Sequence, residues 1–127
     1  MVMKPTEISW EEISKTNTDL QERLSKSGVR LDYDDQGDTL LLTIGEGGPS
    51  ISKQAIDGIY IKITPVEYKI IGCIVIGFAT DLLANNKIIR NMFPDALAIL
   101  KESDGVVELE GQSAERTKPI FEAALIH

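Results

Sequence analysis

The eleven residues from Ile70 to Thr80 carry no charge and are bounded by Lys69 and Asp81. Read as a strand over Lys69–Ala79, the stretch puts Ile70, Ile74, Ile76 and Phe78 on one face and Ile71, Cys73, Val75 and Ala79 on the other. Both faces are apolar, so both call for cover, as in a strand inside a fold rather than one half-solvated. Gly72 and Gly77 pack nothing and mark bends or bulges. Eleven residues are about half of what a membrane helix requires, so the run is read as core and no membrane association is expected.

Upstream of this run the period is two. Val29, Leu31 and Tyr33 alternate with Arg30, Asp32 and Asp34, and Leu40, Leu42 and Ile44 alternate with Thr39, Leu41 and Thr43, across an Asp34–Asp38 turn cluster. Gly45–Ser50 is a loop, and Ile51–Ile56 leads to Asp57-Gly58, a strong signal for a two-residue hairpin turn. Ile59, Ile61 and Ile63 then alternate until Pro65. That turn would set Lys53 opposite Lys62, an unfavourable like-charge pair, so a bulge or an early end to the pairing is expected.

Helical periods flank the strands. Ser9 with Glu12 has capping-box spacing, Ile13, Leu20 and Leu24 share a face with Trp10, and Gly28 follows a cationic last turn. Thr16-Asn17-Thr18 is the weak point of that helix. After Asp81 the period is again 3.6, with Pro94 dividing the segment and Gly105 ending it. Val106–Glu110 reads as a short strand, and Pro119 opens a last helix. The expectation is one α+β domain over residues 1–127. A helix at about 10–27 and a helical region at about 81–127 pack on a single antiparallel β-meander of about five strands at about 29–79.

The chain has 127 residues, enough for one core. Its 13 Lys and Arg against 20 Asp and Glu leave a net charge of −7, which argues against nucleic acid bound through clustered cations. One Cys and one His exclude a disulfide framework and a Cys/His zinc site within one chain. Met1–Lys4 runs into charged Glu7–Glu12 without an apolar leader, so a reducing, cytoplasmic setting is expected.

From Tyr33 to Phe78 the chain resembles a prokaryotic domain-of-unknown-function family, number twenty-two eighty-three. The resemblance rests on Tyr33-Asp34, Asp38-Thr39-Leu40, the Gly45–Ser50 loop, Asp57-Gly58-Ile59 and Ile71-Gly72-Cys73-Ile74-Val75. Family members carry further Asp residues before the last strand, where this chain has Pro65-Val66-Glu67-Tyr68. The first helix and everything past Ala79 lie outside the pattern. The resemblance implies a small β-meander with an inhibitory or antitoxin-like role.

Candidate chemistry is sparse. Asp32, Asp34 and Asp38 imitate the start of a calcium loop, with oxygens at alternating positions and Gly37 for the turn, and they are the candidate ligands for calcium or magnesium. The twelfth position, where a bidentate Glu belongs, is Thr43, so the competing reading is a turn whose Asp side chains bond their own backbone. Gly45-Glu46-Gly47-Gly48 precedes Pro49 and a strand rather than a helix, and so lacks the N-terminus of a phosphate cradle. His127 stands at the chain end, a poor place for a general base, and Cys73 sits among apolar neighbours that make a thiol inert. Glu108 and Glu110 share a strand face and read as solvated. No catalytic residues and no cofactor are assigned.

The expected role is a non-enzymatic protein-interaction or regulatory module, with a divalent-metal module at Asp32–Asp38 as the alternative. A strand ending a plain meander would leave an apolar edge. A homodimer is therefore expected, with Ile71, Cys73 and Val75 as interface residues.

Overall fold

A computed structural model describes residues 8–56 and 58–125. Its strands are β1 (Val29–Asp34), β2 (Thr39–Ile44), β3 (Ile51–Gln54), β4 (Ile59–Ile63), β5 (Ile70–Ile76) and β6 (Val106–Leu109). Its α-helices are α1 (Trp10–Thr16), α2 (Leu20–Ser27), α3 (Lys87–Met92), α4 (Ala96–Glu102), α5 (Gly111–Glu115) and α6 (Lys118–Leu125). A π-helical segment, Phe78–Leu83, links β5 to α3. The fold is α+β, and the antiparallel sheet has six strands in the order β3-β4-β5-β2-β1-β6.

This is not a five-stranded meander. Val106–Leu109 adds a sixth strand, pairing with β1. The chain leaves β2, passes over two strand positions to lay down β3, and returns so that β5 docks against β2. Three strand spacings are about 14 Å, and the six residues of the Gly45–Ser50 loop reach about 20 Å when extended, so the crossing is within its span. β5 is thus paired on both sides, with β4 and with β2. The apolar edge expected at Lys69–Ala79 does not exist.

Two local expectations are also corrected. The stretch 10–27 is two helices rather than one. Ser9 Oγ caps α1 by accepting from the amides of Glu11 and Glu12 at 3.1 and 3.3 Å. The helix then breaks at Asn17, whose side chain is buried and bonded elsewhere. Nδ2 donates to the carbonyls of Ile13 (2.7 Å) and Tyr68 (2.9 Å), and Oδ1 accepts from the Ile70 amide (2.8 Å) and Arg23 Nη2 (2.5 Å). Asn17 trades helix continuity for an anchor at the start of β5.

In the β3–β4 hairpin, Lys53 faces Ile61 and Ser52 faces Lys62. The Ala55 amide bonds the Ile59 carbonyl at 2.8 Å, so the connection has three residues, 56–58, rather than two. One extra turn residue shifts the register by one and removes the Lys–Lys clash. Gly58 takes φ +84, the left-handed position that three-residue hairpins reserve for Gly. The backbone at Asp57 lies outside the described residues.

A bulge in β5 decides what faces where. Lys62 pairs with Gly72 and Ile63 with Ile70, leaving Ile71 unmatched. The bulge returns Ile70 to the face of Cys73 and Val75, so the two-face assignment read from strict alternation fails there. All three are buried, with Val29, Leu31, Leu40, Leu42, Ile59, Ile61 and Ile63 from neighbouring strands. Helices α2, α4 and α6 lie against β2, β1 and β4, and contribute Leu24, Leu100, Ile120 and Phe121 to the same core.

Candidate functional site

The carboxylates of the acidic turn have separate partners. Asp32 Oδ2 accepts from Arg30 Nε at 3.2 Å, and Asp34 Oδ1 accepts from the Gln36 amide at 3.1 Å. Asp38 turns the other way. Its Oδ1 accepts from the Tyr33 hydroxyl (2.6 Å) and the Ala79 amide (2.8 Å), and its Oδ2 from the Thr80 amide (3.0 Å) and hydroxyl (2.8 Å). Partial burial pushes the Asp38 carboxyl up, yet these four bonds outweigh it and hold it at about 2. The carboxylate fixes the β1–β2 turn to the first residues after β5. Among the described residues, no group of three or more His, Cys, Asp or Glu has the geometry to hold a metal ion.

Cys73 is fully buried and free. Burial alone pushes its thiol up to about 12, which keeps it protonated and unreactive. Of the three residues expected at an interface, Cys73 and Val75 point into the core and Ile71 is half-buried on the bulge. Glu108 and Glu110 are exposed.

The feature that alternation did not reveal is the second face of the sheet. On β2 and β4 the residues between the buried ones are half-buried, and on β5 they are half-buried or exposed, as at Ile74 and Ile76. Leu41, Tyr60, Ile71 and Ile74 are half-buried, yet none belongs to the set of side chains packed on the core. Among the described residues, the helices that pack on the sheet do so on the core face. The strand pairings align them. Tyr60 pairs with Ile74, Ile74 with Leu41, and Leu41 with Asp32, while Lys62, Gly72, Thr43, Arg30 and Glu108 form the next row. At Gly72 a Cβ would lie 2.7 Å from the Leu42 carbonyl oxygen and 3.4 Å from Lys62 Cδ, so the bare backbone lets the Lys62 stem lie flat across the strand.

The open face therefore has an apolar centre, Leu41, Tyr60, Ile74 and the half-exposed Ile76, at 50%. Arg30, Asp34 and Glu108 flank it on one side, and Ser52 and Gln54 on the other. It offers contact area and rim charge. No helix among the described residues is long and apolar enough to cross a membrane. No family model matches this chain, and no curated protein or solved structure is significantly similar to it.

Proposed function

We propose that this chain is a non-enzymatic protein-interaction module that pairs with a second copy of itself through the open face of its sheet. The observation that carries the reading is the apolar row Tyr60–Ile74–Leu41, held in the middle of a six-stranded sheet whose opposite face, among the described residues, is the one the core-forming helices pack on. An antiparallel sheet tolerates one wet face when that face is polar; here its centre is not.

The rim supports a copy of the same chain as the occupant. On β1, Arg30 and Asp34 lie two residues either side of Asp32, all three on the open face. A two-fold axis along the Tyr60–Ile74–Leu41–Asp32 row would set Arg30 of each copy near Asp34 of the other. It would also bring the two Asp32 carboxylates together, each already neutralised by its own Arg30 at 3.2 Å. Six strands at about 4.8 Å and some five residues per strand make a face of about 500 Å² per copy. A standard stable interface buries about 800 Å² per partner, so the pairing is weak and concentration-dependent.

Sedimentation equilibrium from about 10 μM to about 1 mM tests it. The weight-average mass is expected to climb from 14.0 kDa toward twice that value. A wild-type mass that stays at 14.0 kDa across the range overturns the reading.

A further inference from the structure

A second apolar surface lies among the helices and meets the open face at Ile76. Between α3 and α6, with Ile56 after β3 in its lining, runs a groove of about 610 Å³. Ile56, Ile88, Ile89, Pro119 and Ala123 line its floor. Ile88 is 70% exposed and Ile56 39%, so two large aliphatic side chains stand in water within one groove. A smaller depression of about 200 Å³ shares Ile56 and Asn86 with it and reaches Ile76. Three of the most exposed large apolar side chains among the described residues thus follow one continuous track.

The polar wall of the groove carries one carboxylate in excess, Glu115, whose Oε1 accepts from Gln21 Nε2 at 3.0 Å. Glu115 and Glu122 are joined there by one cation, Lys118, whose Nζ is already held by Gln21 Oε1 at 2.7 Å and Glu122 Oε1 at 3.2 Å. Asp81 stands at the far end of the track. The nearby Arg90 guanidinium is turned onto the carbonyls of Leu83 and Ala84, both at 3.0 Å. Apolar side chains with positive charge beside them complement this lining.

The walls also choose the backbone of the occupant. The groove is lined by helices and the turn, with no strand residue among its lining. An extended segment would find no sheet edge for its amides and carbonyls, whereas a helix satisfies its own. We infer that the α3–α6 groove is a docking site for a basic amphipathic helix of a partner protein, its aliphatic face at i, i+4 and i+7 set against the apolar lining Ile88, Ile56 and Ala123 and its Lys or Arg facing Glu115 and Glu122.

The test uses the full chain and a fluorescein-labelled synthetic helix of Leu and Lys patterned at those positions, followed by fluorescence anisotropy at low salt. Two controls are a scrambled isomer of the same composition and a Leu/Glu helix with the same pattern. The Leu/Lys helix is expected to bind at least about tenfold more tightly than either control. Ile88→Glu, at an exposed position, should lose about tenfold. Glu115→Gln with Glu122→Gln should lose several-fold and flatten the salt dependence. Amide shifts on titrating the wild type should map to α3, α6 and the β3–β4 turn, which keeps the proposal testable should Ile88→Glu fail to fold. Equal binding of the scrambled or Leu/Glu helix, unchanged binding by folded Ile88→Glu, or shifts confined to the open sheet face would overturn it. Ile74→Lys separates this site from self-association, because it removes the latter and should leave helix binding intact.

Discussion

The Tyr33 hydroxyl donates to Asp38 Oδ1 at 2.6 Å, and the same oxygen accepts the Ala79 amide at 2.8 Å. One carboxylate therefore joins β1, the β1–β2 turn and the segment leaving β5. Asp38 sits at about 2 in the folded chain against an ordinary 3.8. A depressed carboxyl stabilises the fold above its unfolded value and loses that contribution as pH falls toward the folded one. Stability should thus decline between about pH 5 and pH 2, and Asp38→Ala should remove much of that slope. Because Asp38→Ala strands the Tyr33 hydroxyl and two amides, it should also cost about 2 kcal/mol or more at neutral pH, read by urea denaturation.

Tyr33→Phe removes one donor and keeps the ring, which packs edge-on to Phe78 at 5.9 Å between centroids. It should cost about 1 kcal/mol and let the Asp38 carboxyl rise toward 3.8, seen in a carboxyl-carbon NMR titration. In the wild type, burial and then the Asp38 hydrogen bond raise the Tyr33 phenol above its ordinary 10.0. Its contribution is present below pH 10 and lost as pH rises beyond, so spectrophotometric titration should show Tyr33 ionising only as the fold gives way.

Asn17 should prove costly to remove for a reason helix propensity does not convey. Asn17→Ala removes the Asn17 hydrogen bonds to the buried Ile70 amide at 2.8 Å and the part-buried Tyr68 carbonyl at 2.9 Å. Stranding one buried amide and removing a bond from a part-buried carbonyl correspond to a loss of about 2 kcal/mol. Hydrogen exchange should show the Ile70 amide losing protection before those at the middle of β5. Lost stability without faster exchange at Ile70 would mean that the helix break, and not the anchor, is what Asn17 supplies.

These residues also show where sequence reading reaches and where it stops. Caps and alternation are local chemistry, so Ser9, Gly28 and the β1–β2 hairpin were legible, as was the weak point at Asn17. The bond from Asn17 to Ile70 spans 53 positions and left only the trace of a polar residue on an apolar stripe. The position of β5 turned on whether the Gly45–Ser50 loop makes a hairpin or crosses two strands, and its composition suits both. The register of β3 on β4 hung on one turn residue, for which the Lys53–Lys62 conflict was the available signal. The open face was hidden by the bulge at Ile71, because a run apolar on both sides reads as covered on both sides.

Gly58 is a local test of the corrected turn. Its φ is +84, and a Cβ there would stand 2.6 Å from the Ile76 carbonyl oxygen. Gly58→Val therefore meets both a conformational penalty and a clash with β5, and should destabilise by more than about 1 kcal/mol. Gly48, with φ +141 and nothing within 4 Å of a built Cβ, isolates the conformational part. Gly48→Ala should cost less than Gly58→Ala in parallel urea titrations.

Ile74 and Val75 are neighbours on β5 whose replacement by Lys should have opposite consequences. Val75 is 1% exposed and pairs with Ile59 and Leu40 on the helix-covered face. A lysine there buries an unpaired cation, and Val75→Lys should cost more than about 4 kcal/mol and yield little folded protein. Ile74 lies on the open face between Tyr60 and Leu41, where a lysine stem lies along the sheet and its ammonium reaches water. Ile74→Lys should stay within about 1 kcal/mol of the wild type when both are monomeric. The discriminating measurement is the urea midpoint against protein concentration. Mass action stabilises a chain that pairs when folded, so the wild-type midpoint should rise with concentration while that of Ile74→Lys stays flat. Parallel flat lines for the two proteins would assign the row Tyr60–Ile74–Leu41 to solvent rather than to a second copy.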